Sequence, residues 1–188
     1  ALAVATYLNE FIRHCRTVRM ANLAQLVNVI APIFTSPEGL FLQTIYHPLR
    51  LYAEHTQAFA LDAAVDCETY TLAPAQETTR WSHRVADLGP FKLLDASATC
   101  DAAGQVLALA VVNRDRERAI PATIRLTDEV NVRGGWAYEV NGPCPETVNS
   151  FEQPEAVSMR ATQLNRGGPV LAYTFPAHSV TLLRLTIG

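Results

Sequence analysis

Apolar residues recur at Leu8, Phe11, Ile12 and Cys15, the i, i+3, i+4, i+7 spacing that lines one face of an α-helix, with Glu10, Arg13 and Arg16 between them. This predicts an amphipathic helix that begins at residue 1 without a capping signal. The stretch 18–24 reads as a short buried strand or a helix start, which periodicity does not separate. Residues 20–34, MANLAQLVNVIAPIF, are apolar except for the amides Asn22, Gln25 and Asn28. TSPEG at 35–39 is a turn. A second helix is expected from Leu40 to His55, with Ile45, Leu49 and Tyr52 on one face and Pro48 either kinking it or lying in a first turn.

Beyond residue 57 the period shortens. QVLALAVVNRD (105–115), ATIRLT (122–127), WAYEVNG (136–142), VLAYTF (170–175) and SVTLLRLTI (179–187) are short apolar or alternating runs, separated by DAAG, NRGGP and PAH. Serial short strands without intervening helices predict an antiparallel sandwich or barrel. The division expected is therefore a helical segment over 1–56 and a β-domain over 57–188. In the last run Val180 and Leu182 share one face, whereas Leu183, Leu185 and Ile187 share the other. Either both faces are covered or a bulge near Leu182 resets the alternation, and the bulge is the expectation favoured here.

Composition narrows the classes. With 49% hydrophobic and 18% charged residues the chain has ample core material. Its net charge is −3, and acids interrupt its densest basic cluster, NRDRER (113–118), which argues against a nucleic-acid partner. The run 20–34 is too short and too rich in amides to cross a membrane. Cys15, Cys67, Cys100 and Cys144 lie too far apart for paired metal-ligand spacing, so reduced structural thiols are expected, with no metal site and a cytoplasmic setting. His178 falls in a turn between two strands and has a structural reading. The glutamates, from Glu10 to Glu155, read as solvated surface. Trp136 lies in an alternating strand and reads as core; Trp81 lies in a polar loop and is the better candidate for stacking on a sugar.

The blocks MANLAQLVNVIAPIF, GLFLQTIYHPLRLYAEH, LALAVVNRD, YEVNGP and YTFPAHSVTLLRL resemble the C-terminal part of family 51 α-L-arabinofuranosidases. The resemblance implies a jelly-roll-like β-sandwich over 57–188, preceded by the end of a catalytic (β/α)8 barrel. Residues 1–17 then correspond to the seventh barrel helix, 18–25 to the eighth strand and 40–56 to the eighth helix. The activity implied is release of terminal arabinofuranosyl units from arabinose-containing polysaccharides with retention, needing two carboxyl groups roughly 5–5.5 Å apart and no cofactor. Both catalytic glutamates of the family precede these positions, so no catalytic residue is assigned. Gln25 alone matches a substrate-contacting position, at the carboxyl end of the eighth strand. The segment 1–56 is expected to meet the barrel or a second copy, or 18–25 to leave strand geometry. The alternative from another class is a carbohydrate-binding module.

Overall fold

The structure is a computed structural model that describes residues 1–72, 88–127, 130–165 and 167–188. Two helices come early: α1 (Leu2–Arg13) and α2 (Tyr46–His55). Between them lies a hairpin, β1 (Ile33–Ser36) and β2 (Gly39–Leu42). The β-region follows with β3 (Phe59–Leu61), β4 (Thr69–Tyr70), β5 (Phe91–Lys92), β6 (Leu94–Cys100), β7 (Val106–Asn113) and β8 (Ile120–Arg125). It closes with β9 (Val132–Asn141), β10 (Ser158–Leu164), β11 (Val170–Phe175) and β12 (Val180–Ile187).

One six-stranded antiparallel sheet, ordered β10-β9-β12-β7-β6-β3, carries the molecule. Pairs nest along the chain: β7 with β12, β8 with β11 and β9 with β10. That nesting is the wrapped double strand of a jelly roll. The β8–β11 pair forms a second layer, and between the layers Leu94, Leu107, Val111, Phe175, Leu183 and Leu185 pack as one core. On the opposite face Ala5 of α1 and Leu51 and Tyr52 of α2 pack on Ala110, Val112, Val140, Val180 and Leu182. The helices thus share a core with the sheet, and β12 is apolar on both faces because both faces are covered.

This arrangement corrects the bulge expected near Leu182. Pairing of β12 runs unbroken from Val180 to Thr186 against both β7 and β9, and the register shifts only between Thr186 and Ile187. Trp136 is also corrected. It lies on the same face of β9 as Tyr138, which stacks on His55 at the end of α2, yet it is 40% exposed. The first helix ends at Arg13, leaving Cys15 exposed, and the face it buries is centred on Ala5 and Asn9. The second is shorter at its start than expected, since residues 39–42 are taken up as β2. Pro48 is the third residue of α2, in the first turn, where a missing N–H breaks no helical bond. Residues 18–25 contain no strand. All four cysteines are free. Trp81 and His83 lie outside the described residues.

Candidate functional site

The segment that follows α1 is where sequence reading placed the one candidate contact. After His14 N–H bonds to Glu10 O, the backbone from 18 to 26 forms no regular element. It is anchored only further on. Asn28 N–H donates to Ile33 O (2.8 Å), Ala31 N–H to Asn28 O (3.0 Å), and Val27 bridges to Ile33. The Asn28 side chain completes the anchor: its Oδ1 accepts the Thr35 N–H (2.8 Å) and its Nδ2 donates to Thr35 Oγ1 (3.2 Å). Of the three amides, then, one ties a loop to the hairpin, while Asn22 and Gln25 stand in solvent. The amides carry no burial penalty because the part of the run that holds them, residues 20–30, is not buried.

It is exposed to an unusual degree. Met20, Leu26, Val29 and Ile30 are each about two-thirds exposed or more, and Leu23 and Val27 nearly half. Contiguous apolar surface of this kind marks an interaction face. Gln25, Asn28 and Val29 also adopt positive φ, at 56°, 60° and 59°. For a β-branched residue such as Val29 that region is sterically disfavoured, by about 1–3 kcal/mol.

The hairpin beneath this rim is held firmly. Phe34 stacks on Phe41 at 5.1 Å and Phe41 meets Phe151 edge-on at 4.8 Å. Asn149 Nδ2 donates to Leu42 O (2.8 Å) and Val157 O (2.9 Å) while its Oδ1 accepts Val157 N–H (2.7 Å). The sequence carried a hairpin signal here that the helix expectation overrode: two apolar runs flanking SPEG.

A second feature escaped sequence reading altogether. Asn9, fully buried on α1, accepts hydrogen bonds at Oδ1 from Tyr52 Oη and Ser97 Oγ, both at 2.6 Å, and donates from Nδ2 to Asp95 Oδ2 at 2.9 Å. Asp95 in turn pairs with Arg13 (3.0 Å) and Arg114 (3.3 Å). Burial pushes the Tyr52 phenol well above its usual range, so it stays a neutral donor. This network locks both helices to β6.

Four of the described glutamates sit in ion pairs with arginines. Glu10 binds Arg13, which with His14 holds its carboxyl below the usual range; Glu54 binds Arg50, Glu68 binds Arg118 and Glu146 binds Arg116. Glu139 departs from the surface expectation, being half-buried and accepting the Tyr173 hydroxyl at 2.5 Å. Among the described residues no cluster of three His, Cys, Asp or Glu could hold a metal ion, and no helix is long and apolar enough to cross a membrane. His178 takes φ +43° in the turn before β12, its ring nitrogens against Arg116 O (2.8 Å) and Gly142 O (3.1 Å), a structural clasp between two loops.

Fold and rim together define a jelly-roll β-sandwich, helices docked on one face, with an outlying apolar rim. A family model described as the alpha-L-arabinofuranosidase C-terminal domain matches residues 1–179, and the chain belongs to that family. It is 36% identical over 185 residues to the probable alpha-L-arabinofuranosidase C of Aspergillus clavatus, covering 98% of this chain and 34% of that protein. An intracellular exo-alpha-(1->5)-L-arabinofuranosidase of Streptomyces lividans is 35% identical over 158 residues, covering 84% of this chain and 22% of that one. In fold the chain is similar to the alpha-L-arabinofuranosidase of Thermotoga maritima solved as an arabinose complex, with TM-score 0.85, 24% identity, and coverage of 98% and 37%. The chain therefore spans about a third of the length of the Aspergillus relative it matches.

Proposed function

We propose that these 188 residues work as the C-terminal part of an α-L-arabinofuranosidase that releases terminal arabinofuranosyl units from arabinose-containing polysaccharides with retention of configuration. The observation that carries this reading is the apolar rim at 20–30 on a chain spanning a third of its relatives. Such a surface is stable in water only against a partner, and the catalytic barrel implied by the family is the partner it fits. In that assembly residues 1–56 are the barrel's last segment and 57–188 the buttressing domain. Residues 18–25 complete the barrel wall when the rest of the barrel supplies pairing partners. Gln25 then reaches substrate from the rim. The sandwich acts by holding α1 and α2, and hence that wall, in place through the Asn9–Asp95–Tyr52 network. The working enzyme is placed in the cytoplasm, assembled as a homo-oligomer, with no cofactor.

The chain by itself, carrying neither catalytic glutamate of the family pattern, is expected to release no nitrophenol from 4-nitrophenyl α-L-arabinofuranoside. Measurable turnover by the purified chain overturns the reading. The carbohydrate-binding alternative keeps one supporting observation, the exposed Trp136 ring. Titration with arabinan and xylan oligosaccharides under tryptophan fluorescence separates the two: quenching at millimolar sugar, lost in Trp136→Ala, favours the module.

A further inference from the structure

The six-stranded sheet ends in two unequal edges. At one of them β3 has three residues, a length that offers little to an added strand. At the other, β10 pairs with β9 in unbroken register, from Ser158 opposite Asn141 to Leu164 opposite Gly135. Among the described residues nothing pairs with the far side of β10. Proteins ordinarily blunt such an edge with a proline, a bulge or several charges. SMRATQL has no proline, its register has no bulge, and Arg160 is its single charge.

The strand is held near its two ends. Met159 packs on the helix-side core and Leu164 on the core between the layers. Between them Arg160, Ala161, Thr162 and Gln163 are all exposed, although alternate members face opposite sides of the sheet. Both faces of this edge are therefore uncovered along its middle.

The sequence of β10 is complementary to itself. A two-fold axis through Ala161 sets Ala161 opposite Ala161 of a second copy, Arg160 opposite Thr162, Met159 opposite Gln163 and Ser158 opposite Leu164. Every position finds a partner and no like charges stand directly opposed. An axis through Arg160 instead sets two guanidinium groups face to face, which is destabilising. The lone charge thus selects the register, and in it Arg160 keeps Glu139 of its own sheet as the neighbour on its other side. On the helix-side face Gln163 then stands between Trp136 and Met159 of the second copy, so the joined sheet borders the ring that this chain leaves 40% exposed.

We propose that β10 is the contact through which two copies of this chain associate, its free edge pairing antiparallel with itself about a two-fold axis at Ala161 to make one sheet continuous across both copies. The proposal rests on the homo-oligomer of the arabinofuranosidase reading and names its contact.

The test uses the 188-residue chain carrying Cys15→Ser and Cys144→Ser, which remove the two exposed thiols. In that background Ala161→Cys is expected to close a disulfide between copies under mild oxidation, because paired antiparallel Cα atoms lie about 4.5–5.5 Å apart, within disulfide range. Gln163→Cys faces Met159 of the second copy and lies roughly 13 Å along the strand from its own counterpart, so it cross-links at least tenfold more slowly. Sedimentation equilibrium of the chain with its native cysteines reads the association itself. Ala161→Lys and Ala161→Glu each weaken it at least tenfold by opposing like charges, and an equimolar mixture of the two restores it. Ala161 is exposed, so the far-UV circular dichroism of each variant stays that of the parent chain. Equal cross-linking at positions 161 and 163 overturns the proposal, as does a monomer up to millimolar concentration. Association that ignores both charge variants and is lost in Ile30→Lys assigns the contact to the apolar rim and also overturns it. None of these readouts involves arabinoside hydrolysis, so failure of the contact and failure of the underlying reading are told apart.

Discussion

Replacing Asn9 with alanine removes the centre of the only polar cluster that joins α1, α2 and the sheet among the described residues. Tyr52 Oη and Ser97 Oγ both lose their 2.6 Å acceptor, and Asp95 Oδ2 loses a donor at 2.9 Å. Compensation is partial. Tyr52 Oη keeps a long bond to Ala5 O (3.3 Å), and Asp95 keeps Arg13 and Arg114. A stranded buried polar group costs about 1–3 kcal/mol. The stranded Ser97 hydroxyl, the Tyr52 hydroxyl left with only its long bond to Ala5 O, and the small void left by the amide sum to about 3–5 kcal/mol, against a total stability of about 5–15 kcal/mol for an ordinary domain. With a urea slope near 2 kcal/mol/M, the unfolding midpoint falls by about 2 M, read by far-UV circular dichroism. Tyr52→Phe removes one donor and leaves Asn9 Oδ1 still bonded to Ser97, so its loss is about 1 kcal/mol. Because both variants remove the same bond, the double variant costs less than the sum, with a coupling of about 1–2 kcal/mol. A loss below 1 kcal/mol for Asn9→Ala, or strict additivity in the cycle, refutes the network as the link between helices and sheet.

Leu182→Ala, on the helix side of the central strand, is expected to lower stability by about 2–5 kcal/mol in the same urea assay, because β7, β9 and the helices leave the cavity no room to collapse. Gly135→Ala sets a Cβ 2.2 Å from the Arg184 carbonyl oxygen and 2.9 Å from the Leu185 Cα, both backbone. Loss of the folded state's thermal transition, or a drop beyond about 3 kcal/mol, is the expected result. Burial lowers the pKa of His47 and of His55, so the folded protein holds both rings neutral where the unfolded chain takes up protons. Their contribution is complete above the unfolded value of about 6.5 and is lost as pH falls through the lowered folded values. The urea midpoint should drop between pH 7.5 and pH 5, and His47→Leu should flatten that slope.

The legibility of this protein in its sequence follows how local each feature is. The strands β7, β9, β11 and β12 were readable because an apolar run bounded by turn residues is a property of neighbouring positions. The expectation that the chain turns from helical to β near residue 57 rested on the same local signal. Strands β6 and β10 were missed: LDASATC and SMRATQL carry few large apolar residues, and their strand state comes from pairing with β7 and β9 across long loops. The double-sided apolar pattern of β12 was visible, but the sequence offered a bulge or two covered faces. Only the arrival of α1 and α2 on the outer face decided between them.

By itself the sequence determined strands β7, β9, β11 and β12, the amphipathic helix and the turn at 35–39 through short-range pattern, while the family and its jelly-roll topology came from the resemblance of its longer blocks. Tertiary structure alone decided that Asn9 is a fully buried hub, since its partners lie 43, 86 and 88 residues away. It decided equally that residues 20–30 are an exposed rim whereas Ala31 and Pro32, in the same run, are buried. Burial is a relation between distant segments, and no periodicity within fifteen residues encodes which distant segment covers them.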